Sequence, residues 1–73
     1  MVYLYSIENL SNIYNPIGCY FITNGKVYQV KDEICKVHAE ELRREQIIEK
    51  SDIQYILTLR GTSHYICERV LNI

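Results

Sequence analysis

Tryptophan is absent from this 73-residue chain, and phenylalanine, proline and methionine occur once each. Seven tyrosines against one phenylalanine bias the aromatic content towards surfaces that are at once apolar and wet. With three glycines and one proline, the composition excludes a collagen-like or linker-like chain. Three cysteines cannot all pair, and positions 19, 35 and 67 do not follow the spacing of a secreted disulfide miniprotein. No apolar run approaches the roughly 20 residues that cross a bilayer, so no membrane contact is expected. The opening MVYLYSIENL has neither the basic start nor the long apolar stretch of a signal peptide. Free thiols in a reducing cytoplasm are the resulting expectation.

Charge of one sign is lacking too. Eight Lys and Arg against nine Asp and Glu leave a formal charge of −1, which gives no global field for nucleic acid. Arg43, Arg44 and Lys50 are interleaved with Glu40, Glu41, Glu45 and Glu49, the pattern of a solvated helix face. Nucleic acid is therefore disfavoured as a partner. A single domain of this size buries only about 60–65% of its unfolded surface, so it depends on good packing, a staple or a partner.

What is present begins with a hairpin. Asn24-Gly25 lies between the β-prone runs Cys19–Thr23 and Lys26–Val30. A two-residue type I′ turn needs positive φ at both central positions, which this pair tolerates. The loop length then fixes the register: Thr23 faces Lys26, Ile22 Val27, Phe21 Tyr28, Tyr20 Gln29, and Cys19 Val30. Facing residues share a side. Cys19, Phe21, Tyr28 and Val30 form the more apolar side and are assigned to the core. Tyr20, Ile22, Val27 and Gln29 face outward.

A helix is expected directly afterwards, with Asp32 as N-cap and Glu33 in the first turn. Ile34, Cys35, His38, Ala39 and Leu42 fall in one stripe at helical spacing. Ile47 and Ile48 fall off it, so either the helix ends near residue 46 or these two meet a second surface. Ile53, Tyr55, Leu57 and Leu59 then alternate with polar residues as in a strand, which Gly61 and Thr62 end. Tyr65, Cys67, Leu71 and Ile73 fit a last strand, whereas Ile66, Val70 and Ile73 fit a helical stripe; β-branched and aromatic content favours a second hairpin. Val2–Ile7 reads as an interior strand, and Glu8–Pro16 as a polar connection with room for one helical turn. The sum is an α+β fold: a small two-layer domain with a mainly antiparallel sheet of four to five strands, two hairpins, and one helix packed across it.

Three kinds of chemistry compete. Cys35 and His38, with His64 and Cys67, supply the ligand types of a structural zinc site. The first pair shares a helix face, but residues 64 and 67 of a strand point to opposite sides. A cysteine nucleophile at Cys35 beside His38 would also need an oxyanion site and a cleft. Gly18-Cys19-Tyr20 and Val27-Tyr28-Gln29 resemble the hairpin of GIY-YIG endonucleases in placing a tyrosine in each arm. The gap between the arms is short, however, and no glycine follows Tyr28. The helix from Glu41, the strand Tyr55–Arg60 and the following Gly61-Thr62-Ser63-His64 are similar to HicA-type toxins. That resemblance covers about a third of the chain and departs by the extra Thr62 and the long N-terminal β region. It implies a small ribonuclease with His64 as general acid or base.

The third kind is binding without catalysis. Tyrosines at 3, 5, 14, 20, 28, 55 and 65 exceed what a small sheet can bury. The reading adopted is a non-enzymatic, protein-binding regulatory module, such as the small inhibitors that phages and mobile elements encode. Its contact residues are Tyr20, Ile22 and Val27 on the outward hairpin face, with Ile47 and Ile48 at the helix end. No catalytic residue, metal or cofactor is assigned; the expected partner is another protein, and a second copy of the chain is a candidate.

Overall fold

The structure, a computed structural model, describes residues 3–45 and 53–71. The central hairpin consists of β2 (Tyr20–Thr23) and β3 (Lys26–Ile34). Its register is the one that the turn dictates, from Thr23 opposite Lys26 to Tyr20 opposite Gln29. Asn24 and Gly25 adopt φ of 52° and 74°, which places both turn residues in the left-handed region. The amide of Val30 donates to the Cys19 carbonyl at 3.0 Å and extends the pairing.

A second hairpin follows later in the chain. β4 (Gln54–Leu59) pairs antiparallel with β5 (Ser63–Arg69). Its turn is centred one residue earlier than the Gly61-Thr62 break suggests, with Arg60 and Gly61 at φ 56° and 71°. β5 inserts beside β3, which gives the sheet order β1-β2-β3-β5-β4.

The N-terminal segment departs from its expectation. Among the described residues of the stretch expected to be an interior strand, β1 comprises Leu4–Tyr5; it runs parallel to β2 and lies at the sheet edge. The physical reason is Ser6, whose Oγ accepts from the Asn9 amide at 3.0 Å and caps the four-residue helix α1 (Ile7–Leu10). The chain is thus turned out of the sheet before it can pair further.

The expected helix start is also corrected. Asp32, Glu33 and Ile34 continue β3, and α2 spans Lys36–Arg44 with Cys35, not Asp32, as N-cap. A bulge between Val30 and Asp32 explains the extension, because the extra residue reverses the alternation of β3. Asp32 and Ile34 then pair with Ile66 and His64 on one face, whereas Tyr28 and Val30 occupy the other. Without the bulge, Ile34 would point away from α2. The helix ends at Arg44; Ile47 and Ile48 lie outside the described residues.

Each face of the sheet carries a packed layer, the back face over only part of its width. On the front face, Phe21, Tyr28, Val30, Leu57, Leu59, Tyr65 and Cys67 bury themselves against Leu10 of α1, with Ile7 and Ile13 packed alongside. Phe21, Tyr28 and Tyr55 form an aromatic cluster, with ring centroids 5.1 to 5.9 Å apart. Tyrosine supplies the aromatic bulk that the composition otherwise lacks. On the back face, α2 sets Ala39 and Leu42 against Ile34, Ile56 and Ile66.

Candidate functional site

The residues with chemical potential divide between the two faces. Tyr65 and Cys67 sit in the front core, and His64 and Ile66 lie behind them on the α2 side. The strand conformation of β5 therefore separates His64 from Cys67, as alternation requires. Both are nevertheless buried, because each face is covered at that point.

His64 is 7% exposed and belongs to a polar chain beneath α2. Arg43 Nη2 donates to Thr58 Oγ1 at 2.9 Å, and that oxygen lies 3.1 Å from His64 Nδ1. With Arg43 donating to the oxygen, the Thr58 hydroxyl is left to donate to Nδ1 in the tautomer that carries the imidazole proton on Nε2. The chain joins the last turn of α2 to β4 and β5 and so holds the helix in its place on the sheet. Little of the His64 side chain is open to solvent beneath α2.

The proposed zinc ligands do not converge. Cys35 is exposed, although the sequence places it in one helical stripe with Ile34, Ala39 and Leu42. Its Sγ accepts the His38 amide at 3.4 Å, so the thiol caps the helix instead of entering the core. Cys67 lies on the front face, across the sheet. Among the described residues, no three His, Cys, Asp or Glu side chains are placed to hold one metal ion.

Burial pushes the Cys67 thiol from 9.0 up to about 12, slightly opposed by a hydrogen bond from the Leu57 backbone. A thiol that stays protonated in the fold but ionises when unfolded favours the folded state below pH 9. That contribution falls by about 1.4 kcal/mol per pH unit as the pH rises from 9.0 towards 12. Cysteine labelling under native conditions should therefore modify Cys35 readily and Cys67 only at the rate of unfolding. Equal rates for the two would contradict the packing of β5. The Cys67→Ser variant should lose the Cys67 share of the alkaline decline, which urea melts at pH 8 and pH 10 would resolve.

The remaining feature is the uncovered part of the back face. α2 occupies the side over β5, and among the described residues no helix packs on the back of the β1–β2 side. There, Leu4 pairs with Tyr20 and Ile22 pairs with Val27, all on the back face. Ile22 is 44% exposed and Leu4 40%, while Tyr20 and Val27 are half-buried by their neighbours. The three outward hairpin residues read from the sequence are thus brought together on one surface. Leu4 joins them only through the parallel pairing of β1, which no local pattern signals.

No protein-family model matches the chain, and neither a curated protein nor a solved structure is significantly similar to it.

Proposed function

We propose that the protein is a binding module that engages another protein through the open half of its back face. The observation that carries this reading is the apolar patch of Leu4, Tyr20, Ile22 and Val27 on the part of the back face away from α2. The patch combines branched aliphatic side chains with a tyrosine hydroxyl, a mixture suited to protein contacts. A rigid strand surface also loses little conformational entropy on binding. Burial of His64 under α2 gives no support to a ribonuclease that uses this histidine.

The test compares proteins retained by the wild-type chain with those retained by Ile22→Lys and Tyr20→Ala. Both positions are at least partly exposed, so each variant should melt close to the wild type. A protein held by the wild type and lost from both variants, with direct binding then measured on purified components, is the expected result. Retention that is indifferent to both substitutions would sink the proposal.

A further inference from the structure

A second surface lies at the opposite end of the sheet. β4 pairs with β5 alone, and among the described residues no strand covers its outer edge. The hydrogen-bond phase of that edge follows from one bond, donated by the Arg69 amide to the Ile53 carbonyl. Ile53, Tyr55, Leu57 and Leu59 therefore occupy the positions whose backbone groups point to β5. Gln54, Ile56 and Thr58 occupy the alternate positions, with N–H and C=O directed away from the sheet.

Protein edges are usually blunted by lysine, proline, a bulge or extreme shortness. β1, at the other edge, is two residues long. β4 has none of these devices: Gln-Tyr-Ile-Leu-Thr-Leu is uncharged and β-prone, and its register with β5 runs without a shift. We propose that β4 is a self-association edge, pairing antiparallel with β4 of a second copy to form one continuous sheet.

The register follows from the outward groups. A two-fold axis perpendicular to the sheet at Ile56 sets Ile56 against itself and Gln54 against Thr58 of the second copy. All these positions carry outward backbone groups, so each of the two edges offers three donors and three acceptors to the other. The side chains agree. On the front face Tyr55 meets Leu57, on the back face Gln54 meets Thr58, and no like charges oppose one another.

The helices do not obstruct the pairing. α2 packs over β5, so the two copies of α2 are separated by three strand spacings, about 14 Å. A helix with its side chains is about 10–12 Å across, so both fit on the back face.

The experiment is sedimentation equilibrium from micromolar to millimolar protein, with the chain prepared by chemical ligation at Cys35. The wild type should reach twice the chain mass. N-methylation of Ile56 removes the central donor and places a methyl group in the interface, but leaves the bonds to β5 intact. It should weaken the dimer at least tenfold while the circular dichroism spectrum is unchanged. Gln54→Pro removes an outward donor at the strand start and serves as a second test should the methylated chain not fold. Ile22→Lys, at the other end of the sheet, should dimerise as the wild type does. A monomer throughout, a dimer indifferent to both edge changes, or a dimer lost through Ile22→Lys would each overturn the proposal. Because the two surfaces lie at opposite ends of the sheet, failure here leaves the binding face untouched.

Discussion

Phe21→Ala is expected to remove about 3–5 kcal/mol of the stability of the chain. Phe21 is fully buried at the centre of the front core and contacts both Tyr28 and Tyr55. Truncation of a buried phenylalanine costs about 3–5 kcal/mol, since the transfer energy of the ring is lost and a cavity remains. A chain of this length has a total stability of roughly 4–11 kcal/mol, so one substitution consumes much of it. The loss of two aromatic contacts adds to the penalty. Urea unfolding followed by circular dichroism is the measurement. A midpoint shift equivalent to less than about 1 kcal/mol would contradict the central position of this ring. Phe21→Leu keeps most of the volume and should retain a cooperative transition.

The second large effect is expected at Leu10. An isolated helix shorter than about 12–15 residues is marginal in water, and α1 has only four residues. α1 therefore exists because Ser6 caps it and because Leu10 inserts fully buried between the sheet and its own loop. Arg60 reinforces the arrangement by donating to the Ser11 carbonyl at 2.6 Å, which ties the turn between β4 and β5 to this segment. Leu10→Ala should cost about 2–5 kcal/mol. It should also accelerate amide exchange at Leu10, Ser11 and Ile13 before exchange in β5 changes. If exchange rises uniformly across the chain, the segment is not a separable layer. If stability falls by less than about 1 kcal/mol, the front core does not depend on it.

These two positions were not equally legible in the sequence. Phe21 sits in a hairpin whose register is a local property, fixed by a two-residue turn that Asn24 and Gly25 can adopt. Leu10 lies in a stretch that reads as a polar connection, and only packing against residues far along the chain makes it core. The outward trio of Tyr20, Ile22 and Val27 was accessible by the same local logic as Phe21. Leu4 was not, because its place beside Tyr20 comes from a parallel pairing across the intervening segment. Cys35 and Asp32 were misplaced for another reason. Aspartate is the stronger N-cap by propensity, yet pairing of Asp32 and Ile34 with β5 outweighs the cap and delays the helix to Lys36.

By itself, the sequence determined the two hairpins, the helix between them and the apolar side of the first hairpin. Each depends on interactions between residues close in the chain, where turn chemistry and side-chain period are decisive. Tertiary structure alone decided the rest: the insertion of β5 beside β3, the bulge that turns Ile34 towards α2, the burial of His64, and the position of β4 at an edge. Those outcomes come from contacts between distant segments, whose energies are of similar size whichever strands meet. They are resolved only when the whole core closes at once.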